Sequence, residues 1–364
     1  MPKKIIHVLG KLDVGGVESW LVSLLKNSLS LKISHNFLVQ KKGEGFYDKD
    51  VYELGGSIYN CYESNIILYG LKLYKFFKDN KPDVVHSHVH TFTGFILFIA
   101  FLAGVKVRVS HSHSDTTAKE KNSSFFRKTY LKIMKFFIKK FSTFKLAVSE
   151  KAAVSLYGEK WKEDKNCRLM PCGIETAKYL FISKDDSLRE KFNIPEDAFV
   201  IGHVGRFEKP KNHNFLIDVF WKAHSKDPNI HLVLVGDGSL KEEIINKVKT
   251  LNLENYVHFL GLRKDIPIIM KSIFDIFVFP SLWEGLPLTL IEAQLSGLKC
   301  IASNEITNSV DIGLIDFLDI SESDLWVNRI LLNSKSDKVL KDFYEFSIES
   351  NINLLNSVYD VKEA

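Results

Sequence analysis

Short apolar runs of strand length alternate with stretches of helical apolar spacing along most of this chain, and the alternation comes as two separate series. In the first, residues 4–9 read as a buried strand, a glycine loop follows, and residues 17–29 have helical spacing. Residues 35–39, 83–86, 105–110 and 144–149 read as further strands, with a helix over 93–103. In the second series, strands over 199–204, 231–235, 257–260, 276–279 and 299–303 are interleaved with helices over 215–225, 240–251, 266–272 and 287–295. Such alternation points to parallel sheets, because consecutive parallel strands need a crossover helix. The segment 167–182, with Pro171 and Gly173, has weak periodicity and separates the series. At 364 residues the chain is longer than one core usually serves. The expected fold class is α/β, two Rossmann-like domains facing across a cleft. Residues 1–170 are expected as the N-terminal domain, 171–198 as linker and 199–342 as the C-terminal domain. Residues 343–364 are expected as a helical tail packing back on the N-terminal domain. Ligands of such sheets lie beyond the carboxyl ends of the strands.

The net charge of +5 is too small to imply nucleic-acid binding, so its distribution matters more than its sum. Of four cysteines, only Cys167 and Cys172 are close in sequence, and not at zinc-knuckle spacing. No disulfide framework is implied, and a reducing compartment fits. The opening MPKKIIHVLG lacks the apolar core and cleavage site of a signal peptide. The longest apolar stretch, 95–105, is too short to span a bilayer. A cytoplasmic protein able to lie on the inner face of a membrane is expected.

The sharpest chemical signal is FPSLWEGLPLTLIEAQLSG, residues 279–297. A strand ends, a loop holds Glu284 and Gly285, Pro287 opens a helix and Gly297 stops it. Backbone N–H groups near Gly285, Leu286 and Pro287 then form an anion site at the positive end of the helix. Glu284 and Glu292 are carboxylates suited to accepting from sugar hydroxyls. A second signal, HVGRFEKPKN (203–212), sets Arg206 and Lys211 at the mouth of the second sheet. Two cations there can neutralise a diphosphate leaving group. A third, LDVGGVESW, puts Gly15 and Gly16 between a strand and a helix. Backbone groups there can approach a phosphate or an acceptor; the loop is not G-x-G-x-x-G, which argues against a dinucleotide dehydrogenase.

Histidines cluster at strand ends: His86, His88 and His90 in VVHSHVH, and His111 and His113 in RVSHSHSD. Metal binding is weighed and set aside, because no cysteine or carboxylate in the sequence completes a ligand set. Asp48-Lys49-Asp50 mimics D-x-D but sits in a charged loop and reads as surface.

The 279–297 stretch resembles the E-x7-E motif of glycosyltransferase family 4, whose members have the GT-B fold, and the resemblance extends over nearly the whole chain. It implies a retaining, metal-independent transferase with no cofactor beyond its nucleotide-diphosphate-sugar substrate. It also implies that Glu292 binds the ribose hydroxyls, that Glu284 lies by the donor sugar, and that the 285–287 backbone meets sugar and diphosphate. GR followed by KN in the family picks out Arg206 and Lys211, GG-x-E matches Gly15, Gly16 and Glu18, and the segment ending at Gly261 is where backbone meets the base. A strand-end histidine faces the donor sugar in the family; here the match is His111 or His113, with His111 favoured because it directly follows the apolar strand.

Residues 119–145 carry nine Lys or Arg against one acid, Glu120. Phe126, Tyr130, Ile133, Met134, Phe137, Ile138 and Phe141 follow helical spacing within them. A basic helix lying on an anionic membrane is expected, as a lipid-linked acceptor would require. The AHSHN-like and GLPCIxS-like segments are similar to those of exopolysaccharide and capsule enzymes, with Lys299 where a proline is common. The expected function is transfer of a sugar, from a UDP-sugar by this resemblance, to a lipid-linked saccharide in surface polysaccharide synthesis. A GT-B sugar-nucleotide 2-epimerase and a non-catalytic assembly subunit stand as alternatives.

Overall fold

The computed structural model describes residues 2–29, 33–121, 123–332 and 340–360. The chain divides into two compact units, Met1–Ile174 with Tyr344–Ala364, and Glu175–Phe343.

The first unit is built on a seven-stranded sheet: β1 (Lys3–Leu9), β2 (Ile33–Val39), β3 (Ser57–Asn60), β4 (Val84–Ser87), β5 (Val107–Ser112), β6 (Phe144–Ala147) and β7 (Cys167–Leu169). Their order is β3-β2-β1-β4-β5-β6-β7, and every neighbouring pair is parallel. The direction of winding reverses between β1 and β4, the switch point at which such sheets hold ligands. Ile5, Ile6, Val8, Val84 and Val85 are fully buried, as expected of parallel strands covered on both faces. The helix Thr93–Leu102 is apolar almost all round because helices Ile66–Asn80 and Phe125–Phe141 pack against it. Gly94 makes the second contact possible, since a Cβ there would stand 2.3 Å from the Met134 carbonyl oxygen.

Strand β5 begins two residues later than its apolar pattern predicts. Val105 instead donates its N–H to Ala100 and closes the preceding helix, with Gly104 at φ +86°. The expected tail is the helix Ile348–Tyr359, which is part of the first unit. Asn351 Oδ1 accepts from Trp20 Nε1 and from the Gly173 N–H, both at 2.7 Å, and Tyr359 bonds His86.

The second unit repeats the plan with β8 (Phe199–Val204), β9 (Ile230–Val235), β10 (Val257–Gly261), β11 (Ile276–Phe279), β12 (Lys299–Ser303) and β13 (Ile315–Leu318). The order β10-β9-β8-β11-β12-β13 is again parallel throughout, with its switch point between β8 and β11. The expected linker 171–198 is placed differently. Residues from Glu175 onward belong to this unit, with Leu188, Ile194 and Ala198 buried. Arg189 fastens them by donating to the carbonyls of Glu196, Ala198 and Ile273 and to Asp275. Weak periodicity here reflects short helices tied by one guanidinium, not a free connection.

Candidate active site

In the second unit the two sharpest motifs leave neighbouring strands on either side of the switch point. The loop after β8 carries Gly205, the exposed Arg206 and a short turn, Lys209–Lys211, before the helix His213–Lys226. Asn212 takes a left-handed conformation (φ +55°) at the joint. The loop after β11 runs from Pro280 to Pro287. Leu282 N–H donates to the Pro210 carbonyl at 2.8 Å and ties the loops together. Lys211 Nζ lies 2.7 Å from Glu284 and 4.4 Å over the Phe279 ring. Both partners of this ion pair are mostly buried, so its charges attract through less water than a surface pair. The Ser281 hydroxyl is fully buried, and it and Thr289 Oγ1 have no hydrogen-bond partner among the described residues. A site whose buried hydroxyls lack partners is one that a polar ligand can complete.

Pro287 was expected as the first helical residue. It stands just outside, at φ −79° and ψ 88°, and the helix runs Leu288–Leu295 with Gly297 (φ +84°) beyond its end. Its first turn opens beside Gly285 and Leu286. Glu292, on this helix, accepts a hydrogen bond from Tyr179, while burial pushes its carboxyl up to about 7 against that bond. Tyr179 comes from Ala177–Leu180, inside the expected linker, so the sequence offered no signal for it. Gly261 (φ +66°) ends β10 and accepts from the Gly236 N–H. A Cβ at Gly236 would stand 2.1 Å from the Gly205 carbonyl oxygen, which brings the β9 and β8 loops together. His203 on β8 donates Nδ1–H to the Val278 carbonyl at 2.8 Å, and burial lowers it to about 4.

In the first unit Gly15 precedes the helix Gly16–Asn27 in extended conformation, and a Cβ on it would meet the Glu18 carboxylate at 2.3 Å. The histidines form a connected row. His35 Nδ1 lies 2.8 Å from His7 Nε2, His7 Nδ1 3.0 Å from His88 Nε2, and His88 Nδ1 2.9 Å from His113 Nε2. The row ends at Cys172 Sγ, 3.6 Å from His113 Nδ1. Burial holds His7, His86, His88 and His113 well below the usual imidazole range and His111 at about 3, so the row is neutral. His7 and His35 were missed from sequence; their strands pair β1 with β2, which is how they meet.

The structure places His111 and His113, the two strand-end candidates, differently. Strand β5 extends to Ser112, and the two rings lie on the same side with centroids 4.0 Å apart. His111 is fully buried and held by the Met170 carbonyl, whereas His113, one residue past the strand, keeps some exposure. Asp48 accepts from the Gly45 N–H and begins a short helix, so it orders a loop.

The basic stretch comprises the end of a short helix, Thr117–Lys121, then the helix Phe125–Phe141 and the start of β6. Asn122 and the Lys119 side chain lie outside the described residues. The helix buries Leu131, Met134, Ile138 and Phe141. Phe126 and Ile133, which follow the same helical spacing, are exposed, as are Phe125 and Phe136. Arg127, Lys128, Lys132, Lys139 and Lys140 are exposed beside them. Two of the nine cations are not part of this surface: Lys135 pairs with Glu120, and Lys145 is buried against Asp164. Ile66, Ile67, Leu68 and Leu71 are also exposed, on the helix Ile66–Asn80. Among the described residues, no helix is long and apolar enough to cross a membrane.

Residues 14–178 match the family described as Glycosyltransferase Family 4, and residues 184–312 match Glycosyl transferases group 1. The chain is 34% identical over 378 residues to the glycosyltransferase EpsF of Bacillus subtilis, covering 99% of this chain and 97% of the relative. It is 32% identical over 281 residues to the UDP-Gal:alpha-D-GlcNAc-diphosphoundecaprenol alpha-1,3-galactosyltransferase of Escherichia coli, covering 74% of this chain and 70% of the relative. Among solved structures, Anabaena HepE in complex with UDP and glucose superposes with a TM-score of 0.80 at 18% identity, covering 99% of this chain and 100% of that one. The paired parallel sheets, the motifs at their switch points and these relatives together place the chain in glycosyltransferase family 4, as a glycosyltransferase of GT-B fold.

Proposed function

We propose that the protein transfers a sugar from a UDP-sugar to a lipid-linked saccharide, with retention of anomeric configuration, in surface polysaccharide synthesis. The observation that carries this reading is the Lys211–Glu284 pair at the β8/β11 switch point, with Arg206 on the same loop as Lys211. Breaking a sugar–phosphate bond puts charge on the departing diphosphate, and fixed cations stabilise it as it develops. Arg206, Lys211 and the first turn of the helix Leu288–Leu295 take that role, so this step needs no divalent ion. Lys211 then exchanges Glu284 for phosphate, which releases Glu284 to accept from sugar hydroxyls. Glu292 accepts from the ribose diol. In the first unit, the family resemblance assigns His111 or His113 to sugar recognition, and Gly15 and Gly16 to a phosphate or the acceptor. The Escherichia coli relative acts on a diphosphoundecaprenol-linked sugar, and Staphylococcus aureus CapH, 27% identical, is a capsular polysaccharide enzyme. The exposed Phe and Lys of the helix Phe125–Phe141 and the apolar Ile66–Leu71 surface suit a bilayer carrying such an acceptor.

The test incubates the protein with a panel of nucleotide sugars, with and without undecaprenyl-diphosphate saccharides, and follows free nucleotide. Acceptor-dependent release of UDP, lost in Glu284→Gln, is the expected result. Conversion of the nucleotide sugar to an epimer without acceptor, or no turnover with any donor, would overturn it.

A further inference from the structure

We infer that His203 is a positioning residue for Lys211: its Nε2 is a second acceptor that holds the Lys211 ammonium at the diphosphate once Glu284 has turned to the sugar. This role rests on the proposed meeting of Lys211 with the diphosphate. His203 is fully buried, so it acts through the lysine and not on the substrate.

The proton of the ring has one place to be. Nδ1 lies 2.8 Å from the Val278 carbonyl, which only accepts, so the neutral imidazole carries its proton on that nitrogen. Burial lowers the ring to about 4 and keeps it neutral. Nε2 is then a bare lone pair, buried and without a hydrogen-bond partner among the described residues. A buried acceptor in this state is costly, and a donor that reaches it removes the cost.

The donor-bearing chain beside it is Lys211. A Cβ built on Gly205 would stand 3.0 Å from His203 Nε2 and 3.2 Å from both Cδ and Cε of Lys211. The lysine stem therefore runs past this edge of the ring, and Gly205 leaves the gap between them open. His213 stands edge-on to His203, with centroids 4.9 Å apart, but its own nitrogens have no partner among the described residues, so it supplies no proton. The Phe279 ring stacks with His203 and lies 4.4 Å under the Lys211 ammonium.

An ammonium has three N–H groups, and Lys211 faces Glu284 across 2.7 Å. When a diphosphate draws it from Glu284, rotation about the terminal bonds of the lysine lets one N–H meet phosphate and another meet His203 Nε2. A neutral imidazole directs the ammonium without cancelling its charge, which stays available to the leaving group. A carboxylate in its place would share that charge, and an apolar side chain would leave the lysine free to swing. No role for His203 was visible in sequence, because the carbonyl that fixes its proton comes from another strand, β11.

The test compares UDP with UMP, which lacks the second phosphate, by titration calorimetry on the full-length protein. Lys211→Met is expected to weaken UDP and spare UMP. His203→Asn keeps a donor for the Val278 carbonyl and removes the Nε2 acceptor. It should weaken UDP about 10-fold with UMP affinity held. His203→Gln carries an acceptor out to where Nε2 stands and should bind UDP close to the wild type. A merely structural role through Val278 predicts the reverse order. Combining His203→Asn with Lys211→Met should cost no more than Lys211→Met alone. Circular dichroism checks each fold, and His203→Phe, aromatic and without an acceptor, replaces His203→Asn if that variant does not fold. UDP and UMP weakened together, unchanged UDP affinity in the folded variant, His203→Gln ranking below it, or additive losses in the double variant would each overturn the role. Unchanged UDP affinity in Lys211→Met would remove Lys211 itself from the diphosphate, and the role of His203 would fall with it.

Discussion

Glu292 is a carboxyl whose charge is costly where it sits, and that cost has two measurable effects. Burial raises it to about 7, so between its ordinary range and pH 7 the folded protein holds a proton that the unfolded chain has lost. Its stability contribution is complete at low pH and declines as pH rises toward 7. Glu292→Gln is therefore expected to raise the melting temperature at pH 8, by an amount corresponding to about 1–3 kcal/mol, and to change it little at pH 4. Scanning calorimetry at the two pH values checks this; a larger gain at pH 4 would contradict it. Glu292→Ala should weaken UDP binding by about 1.5–3 kcal/mol, the range for charged hydrogen bonds. Unchanged affinity by titration calorimetry would remove Glu292 from the ribose. His113→Ala is expected to lower turnover about 10²-fold while nucleotide affinity holds. A kcat near wild type in a correctly folded variant would end its role at the sugar. The meeting of Lys211 with Glu284 was anticipated from sequence because E-x7-E and GR/KN are local motifs at neighbouring strand ends. The contact of Tyr179 with Glu292 was not, since it depends on packing, and neither was the different burial of His111 and His113, which depends on where β5 ends.

At the scale of elements, most strands and helices of the second unit were readable to within a residue or two, because each alternates cleanly with its neighbour. The helix Phe125–Phe141 was readable as a helix but not in its faces. Phe126 and Ile133 fit the same period as Met134 and Ile138, and only the structure separates the outer aromatic edge from the inner one. That separation changes the useful variant. Replacing Arg127, Lys132, Lys139 and Lys140 with Gln, leaving the paired Lys135 alone, should reduce flotation with anionic vesicles, and added salt should do the same to the wild type. Phe125→Ser with Phe126→Ser should reduce it in salt-independent fashion. Equal flotation of all forms would make the surface an ordinary solvated one.

On the scale of the whole molecule, the two sheets share one winding order, and the alternation in the sequence anticipated both. The edge strands β3, β7 and β13 were missed: each is short and only partly buried, so it lacks the continuous apolar run of the central strands. If Arg206 and Lys211 carry the leaving-group charge as proposed, turnover persists without added magnesium or manganese; strict dependence on either ion in a steady-state assay would count against those roles. The second unit is continuous in sequence, whereas the first is closed by Asn351 and Tyr359 from the far end. During synthesis the first half must wait, with Trp20 and Gly173 lacking their Asn351 partner, until residues 344–360 leave the ribosome, while the second half is free to fold earlier. The half made first is the half finished last, and a nascent chain stalled before residue 344 should be cut by protease chiefly within residues 1–174.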